Sequence, residues 1–283
     1  MTARILDGRT CAKKVKTRIK EAIFARQKKA LSVPALSVIL VGEDPASAAY
    51  VRQKELACQA VGIHLTVHRM LSTISKTELS EKIDQYNADS KTHGILLQLP
   101  LPAHINTFHL LERIHPNKDV DGFHPYNLGR LVQRHPILPP CTPAGIMTLL
   151  RETNEDLTGK HAVVIGASNI VGRPMALELL LAKCTITVCH RFTRNLEKHI
   201  NTADLLIAAV GKPGIIQSKW IKPGAIVVDV GFSRLSHNKI IGDIDFETAK
   251  EKTAWITPVP GGVGPMTVAT LLENTLQAAR NLD

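Results

Sequence analysis

The chain has 283 residues, 44% of them hydrophobic and 21% charged, and its 35 Lys and Arg against 25 Asp and Glu leave a formal net charge of +10. These proportions exclude wholesale disorder, and the length predicts two domains of ordinary size. No apolar run approaches the ~18 residues of a membrane span. The opening MTARILDGRT lacks the apolar stretch and small-residue cleavage site of a secretory leader, so a cytoplasmic protein with no membrane partner is expected. Five cysteines without a CxxC pair (Cys11, Cys58, Cys141, Cys184, Cys189) fit a reducing compartment and argue against a disulfide scaffold or a structural zinc site. The charge alone leaves nucleic acid, acidic lipid and anionic small molecules open as partners.

In chain order, residues 8–30 read as a long amphipathic helix. Ala12, Val15, Ile19, Ala22 and Ile23 line its apolar side, and Lys13, Lys14, Lys16, Arg18 and Lys20 form a solvated basic face. Strands are expected at 35–42, 63–70 and 94–102, with helical periodicity at 46–61 and 76–88. The proline-rich RHPILPPCTP (134–143) predicts a stiff, extended linker. Beyond it, near-continuous apolar runs at 161–166, 185–190, 205–211 and 225–231 suit strands covered on both faces. A last helix, 266–281, follows GGVGP (261–265). The alternation predicts an α/β protein with mostly parallel sheets in both halves.

Three segments carry chemistry. In VVIGASNIVGRP (163–174), Gly166 permits a tight turn after a strand. Gly172 allows close approach of a helix, and Ser168 with the helix amides can hold phosphate oxygens. The pattern departs from GxGxxG, so an empty strand–helix turn stays open as the plainer reading. The following strand ends at Cys189, His190 and Arg191 with no carboxylate for a ribose hydroxyl, and Arg194 follows. An arginine there suits a 2′-phosphate and so NADP, the alternative being a solvated basic loop.

Tyr50 and Lys54 are one helical turn apart. Spacing alone favours a surface lysine beside a packed tyrosine. Gln98 is an amide within an apolar strand and needs a hydrogen-bond partner, for which a lysine ammonium would serve. In KDVDG (118–122), Asp119 and Asp121 can accept paired N–H bonds from an amino-heterocycle, or can form an Asx-type turn. The twelve histidines are scattered and no metal site is expected.

Taken together, YVxxK (50–54), QLPLP (98–102), KDVDG (118–122), PPCTP (139–143), GxSxIVGxP (166–174) and PVPGGVGPMT (258–267) make the sequence similar to the bifunctional methylenetetrahydrofolate dehydrogenase/methenyltetrahydrofolate cyclohydrolase family. The similarity runs from about Ile5 to the last helix, in the family's order and spacing. It implies an N-terminal α/β folate-binding domain (1–140 with 268–283) and a C-terminal Rossmann-type parallel-sheet domain (141–267), with a cleft between them. It also implies NADP-dependent oxidation of 5,10-methylenetetrahydrofolate to the methenyl compound, then hydrolysis to 10-formyltetrahydrofolate.

Carried over residue by residue, the resemblance implies Lys54 as the catalytic group, with Gln98 bonded to it and Tyr50 stacked on the folate. Asp121 would hold the pterin, and Pro260, Gly261, Gly262 and Val263 would line the substrate side near the nicotinamide. Gly166, Ala167, Ser168, Ile170, Val171, Gly172, His190, Arg191 and Thr142 would contact NADP. Many members have Arg where this chain has Ala167, which leaves Arg191 to meet the 2′-phosphate. Tetrahydrofolates carrying polyglutamate tails would be the substrates, and a homodimer the assembly.

A nucleic-acid-binding protein lacks support, since aromatics are 4% and there is no stacking motif. A silent nucleotide sensor would leave Lys54, Gln98 and Asp121 unexplained. A shikimate-type dehydrogenase shares the two-domain plan but does not suit QLPLP or PGGVGP.

Overall fold

The computed structural model describes residues 2–234 and 240–283. In chain order, β1 (Arg4–Ile5) and α1 (Gly8–Lys28) precede a β2 (Ala35–Val41), α2 (Pro45–Val61), β3 (His64–Met70), α3 (Lys76–Ala88), β4 (Gly94–Leu97) succession. Short helices α4 (Thr107–Leu111) and α5 (Pro125–Val132) lead to α6 (Cys141–Arg151). Then come β5 (His161–Ile165), α7 (Gly172–Leu181), β6 (Thr185–Cys189), α8 (Leu196–Asn201), β7 (Leu205–Ala208) and β8 (Ile226–Asp229). A small antiparallel pair, β9 (Ser233–Arg234) and β10 (Ile240–Ile241), precedes α9 (Phe246–Ala249), β11 (Trp255–Ile256) and α10 (Val263–Leu282). No described helix is long and apolar enough to cross a membrane.

The chain divides into two compact units, Met1–Lys13 with Thr142–Thr267 and Lys14–Cys141 with Val268–Asp283. The division expected from sequence puts the first thirteen residues in the other unit. The reason for the difference is backbone pairing. Strand β1 runs parallel to β11, and the Leu6 N–H donates to the Ile256 carbonyl at 2.9 Å. A two-residue strand carries no hydrophobic pattern by which its sheet can be read.

In the Lys14–Cys141 unit, β2 lies between β3 and β4 in a parallel three-stranded sheet. Parallel neighbours need crossover helices, which α2 and α3 supply. Helix α2 starts cleanly because the Asp44 carboxylate accepts from the Ser47 N–H (2.7 Å) and Pro45 takes the first helical position. It stops at Gly62, which adopts φ 87°. Ile39, Leu79, Ile83, Ile95, Leu97 and Leu110 are almost wholly buried beneath these helices. Strand β4 ends at Leu97, well short of the expected 102, because Pro100 and Pro102 have no N–H for a ladder.

The other unit holds a six-stranded sheet, all parallel, in the order β1-β11-β8-β7-β5-β6. Its middle strands β5, β7 and β8 are buried along nearly their whole length, as their unbroken apolar runs predict. Proline-rich 134–143 is not extended throughout, since Cys141, Thr142 and Pro143 form the first turn of α6. Proline is compatible with a first turn, where its missing N–H has no partner to lose.

Candidate active site

Helix α2 carries Tyr50 and Lys54, both half-buried, on one face. Lys54 Nζ donates to Gln98 Oε1 at 2.9 Å. Gln98 is the first residue after β4, half-buried rather than enclosed in the strand as the sequence suggested. Its side-chain amide is hydrogen-bonded at both ends. The backbone N–H continues the ladder to the Ile39 carbonyl (2.9 Å), and Nε2 donates to the Leu99 carbonyl (2.7 Å). Both ends of the amide are therefore assigned, and Oε1 is turned toward the Lys54 Nζ.

The two aspartates of KDVDG take different roles. Asp119 is 1% exposed, and its carboxylate accepts from the His124 N–H (2.8 Å) and Asn127 Nδ2 (2.9 Å). It ties down the loop that follows it, through bonds five and eight residues on, longer in reach than an Asx turn. Among the described residues no donor reaches the Asp121 carboxylate, and its electrostatic neighbours are Lys54 and Asp119. Burial pushes its carboxyl up to about 6, with the nearby Asp119 charge adding to the rise and Lys54 opposing it. An acceptor with spare capacity and a perturbed affinity for protons is what a ligand-binding carboxylate looks like.

Two further residues hold Asp121 in place, and the sequence reading missed both roles. Cys141 is buried, and its thiol donates to the Val120 carbonyl (3.1 Å) while its N–H donates to the Asp121 carbonyl (3.2 Å). Burial pushes that thiol well up, with the Asp121 charge adding to the rise, so it remains a donor. Asn274, on the buried side of α10, donates from Nδ2 to the carbonyls of Val120 and Pro139 at 2.9 Å each. Gly122 has φ 76°, and a Cβ there would come within 2.5 Å of the Pro139–Pro140 backbone, so the two segments are in close contact. The available signal was Asn274 itself, a polar residue between Leu271 and Leu276 on an apolar helix face.

At the end of β5, Gly166 has φ 120°, and a Cβ there would lie 2.2 Å from the Ala209 carbonyl oxygen. A Cβ on Gly172 would lie 2.1 Å from the Gly166 carbonyl oxygen. Both positions thus require glycine, because the backbone of the turn packs directly on its neighbours. Ser168 behaves differently from expectation. Its Oγ accepts from the N–H groups of Val171 (3.1 Å) and Gly172 (3.3 Å) just before and at the start of α7, which engages two of the amides expected to face phosphate and leaves its own O–H as a donor. Ala167 is half-buried, and its carbonyl accepts from Arg173 Nε (3.1 Å). Ile170 is exposed and Val171 half-buried.

His190 organises the turn after β6, accepting at Nδ1 from the Phe192 N–H (3.2 Å). Arg191 is exposed, and its guanidinium lies 4.6 Å from the centre of the Phe192 ring. Thr142 is hydrogen-bonded to Thr267 through their hydroxyls (3.1 Å). In the 258–263 segment the Gly262 N–H donates to the Pro258 carbonyl (2.8 Å), and Gly261 has φ 115°. A Cβ on Gly8 would overlap the Gly262 carbonyl, so the start of α1 packs directly on this loop. Pro260 is exposed, and Val263 is the buried first residue of α10. The structure thus brings Lys54, Gln98 and Asp121 together in one unit and gathers Gly166–Gly172, His190, Arg191, Thr142 and 260–263 in the other.

Comparison with known proteins gives a consistent picture. Residues 6–121 match the tetrahydrofolate dehydrogenase/cyclohydrolase catalytic domain, and residues 140–283 match the NAD(P)-binding domain of the same enzymes. A crystal structure of the bifunctional enzyme FolD, a methylenetetrahydrofolate dehydrogenase/cyclohydrolase from Campylobacter jejuni, is 48% identical with a TM-score of 0.95, and the match covers 99% of each chain. The Trypanosoma brucei enzyme, solved with NADP cofactor and inhibitor, is 35% identical with a TM-score of 0.95, covering 99% of this chain and 98% of that one. A 5,10-methylenetetrahydrofolate dehydrogenase from the silkworm Bombyx mori is 41% identical with a TM-score of 0.91, again over 99% of this chain and 98% of its own. This chain belongs to the tetrahydrofolate dehydrogenase/cyclohydrolase family.

Proposed function

We propose that this chain oxidises 5,10-methylenetetrahydrofolate to 5,10-methenyltetrahydrofolate with NADP⁺ and then hydrolyses the product to 10-formyltetrahydrofolate. The observation that carries this reading is the Lys54–Gln98 hydrogen bond, with Asp121 in the electrostatic neighbourhood of Lys54. The glycine turn at Gly166–Gly172 fits a dinucleotide, since any Cβ at either glycine would strike backbone. When bound, the oxidised dinucleotide supplies the hydride acceptor.

The first reaction needs little acid–base help, because the lone pair of the folate N5 drives hydride departure from the bridging methylene. The chain's contribution is orientation. Asp121 accepts from the pterin ring N–H and amino group, and Tyr50 stacks on the aminobenzoyl ring. Hydrolysis requires proton movement as water adds to the methenyl carbon and the ring opens, with one proton released. Lys54 Nζ, hydrogen-bonded to Gln98 Oε1, is the group that as the neutral amine takes a proton from the attacking water and returns it as the ring opens. Arg191 at the end of β6 answers the cofactor's 2′-phosphate, the arginine frequent at the Ala167 position being absent. The reading extends to a cytoplasmic homodimer. Strand β6 is an outer strand of its sheet, and Val188 on it is 38% exposed, an edge suited to a second copy.

The test is a spectrophotometric time course of methylenetetrahydrofolate with NADP⁺ or NAD⁺. Methenyl absorbance should rise faster with NADP⁺ and then decay. Equal rates with the two dinucleotides contradict the cofactor assignment, and the absence of both phases contradicts the whole reading.

A further inference from the structure

A network of buried carboxylates lies in the same unit as the glycine turn and takes no part in the chemistry above. Asp229 closes β8. Its Oδ1 accepts from the N–H groups of Gly231 (2.8 Å) and Asp243 (3.0 Å), and its Oδ2 from the Ile244 N–H (2.9 Å). Asp243 is wholly buried. Its Oδ2 accepts from the N–H groups of Val210 (2.6 Å) and Gly211 (3.0 Å), while its Oδ1 is buried without a partner among the described residues. Oδ1 faces Gly231, where a Cβ would come within 2.3 Å of it. A chain of backbone bonds therefore runs from Asp229 through Asp243 to the segment that follows β7.

That segment occupies a particular place in the sheet. β5 and β7 are neighbours, but β6 extends the sheet on the β5 side and β8 extends it on the β7 side. This is the topological switch point, and ligands of open parallel sheets bind outside the strand ends there. Gly166 closes the β5 side. The β7 side is Ala209, Val210 and Gly211, and the Ala209 carbonyl is the atom against which Gly166 packs. Asp243 thus fixes the wall of the crevice that faces the glycine turn.

We propose that Asp243 is a positioning residue for the dinucleotide, holding Val210–Gly211 against the Gly166 turn by accepting both their N–H groups at Oδ2. The proposal rests on the reading of Gly166–Gly172 as the NADP⁺ site. It makes the two carboxylates unequal in a way that can be tested. Asn at 243 can place its amide oxygen where Oδ2 lies and its NH₂ at the unpartnered position, preserving the two bonds. Asn at 229 would turn its NH₂ toward a backbone N–H in either orientation.

The experiment measures NADP⁺ affinity by titration, together with dehydrogenase KM for NADP⁺ and hydrolysis of supplied methenyltetrahydrofolate. Asp243→Ala is expected to weaken NADP⁺ binding about tenfold or more and to raise KM in step, with hydrolysis within about twofold of the parent. Asp243→Asn should bind NADP⁺ within about threefold of the parent. Gly211→Ala keeps the buried network and strains only an exposed residue at φ 68° with open space where its Cβ would go, so it guards against failure of Asp243→Ala to fold. It should weaken NADP⁺ binding about threefold or more. Unchanged NADP⁺ affinity in Asp243→Ala or Gly211→Ala overturns the proposal, as does equal loss of hydrolysis and binding. A parent that binds NADP⁺ without reducing it refutes the proposed reaction while leaving the binding comparison intact.

Discussion

In the proposed reading, the chemistry around Lys54 is carried by side chains drawn from separate elements, whereas the turn at Gly166 is shaped by backbone. Lys54 comes from α2, Gln98 from the end of β4 and Asp121 from the loop after Lys118; Lys54 and Gln98 are hydrogen-bonded through their side chains, and Asp121 is held by the Cys141 N–H on its backbone carbonyl. At Gly166 no side chain need touch the ligand. The turn works because two glycines bring strand, helix and the Ala209 carbonyl within contact distance. A site of the first kind should fail when one functional group is deleted, and one of the second kind when an atom is added.

The largest expected effect is on the first kind. Lys54→Met should lower methenyltetrahydrofolate hydrolysis about a thousandfold, the scale of a lost proton carrier, with NADP⁺ binding unchanged in a titration. Next comes Gly166→Ala. The positive φ and the 2.2 Å approach to the Ala209 carbonyl should weaken NADP⁺ binding about a hundredfold, measured by the same titration, while hydrolysis continues.

Asp121→Asn should weaken folate binding about tenfold to thirtyfold, as expected for a lost charge-assisted pair. Its pH profile sharpens the point. The Asp121 carboxyl is pushed up to about 6 by burial, and the ionised form is the one that accepts two N–H bonds. Folate affinity should therefore rise as pH increases through about 6 and level off above it, while the Asn variant stays flat. For folding the sign is reversed. Between about 4 and 6 the folded chain holds a proton the unfolded chain has lost, so this group's contribution to stability declines as pH rises through that window. Asp229 is also pushed up to about 6 by burial and adds to the stability profile, so folate affinity is the readout that isolates Asp121.

The smallest effect belongs to Asn274→Ala. Removing its amide leaves the buried Val120 carbonyl and the half-buried Pro139 carbonyl without this donor and should cost about 1–3 kcal/mol in denaturant unfolding. It should also raise the folate KM a few fold through the loosened Asp121 segment.

Much of this was legible in the sequence because periodicity and glycine placement report backbone directly. The buried strands β5, β7 and β8 announce themselves as unbroken apolar runs, and α3 was bounded correctly at 76–88. Lys54, Gln98 and Asp121 stand in motifs that single them out, and their shared neighbourhood is a matter of tertiary structure that spacing does not encode. Other features were hidden for definable reasons. Strand β1 is two residues long, too short for a period, and its pairing moves the first thirteen residues to the other unit. Ser168 Oγ accepts two amides of the following turn, a local bond that the GxSxxxG spacing does not specify. Asn274 and Asp243 act on main-chain groups far away in sequence, and such bonds leave no local pattern.

The most direct test of a chain with two separable activities is a crossed time course. Lys54→Met and Gly166→Ala would each be followed with methylenetetrahydrofolate plus NADP⁺, and again with methenyltetrahydrofolate alone. Lys54→Met should accumulate the methenyl product without decay, and Gly166→Ala should form almost none yet hydrolyse it when supplied. Decay at the parent rate in Lys54→Met, or loss of both activities in Gly166→Ala with the fold intact, would contradict the account.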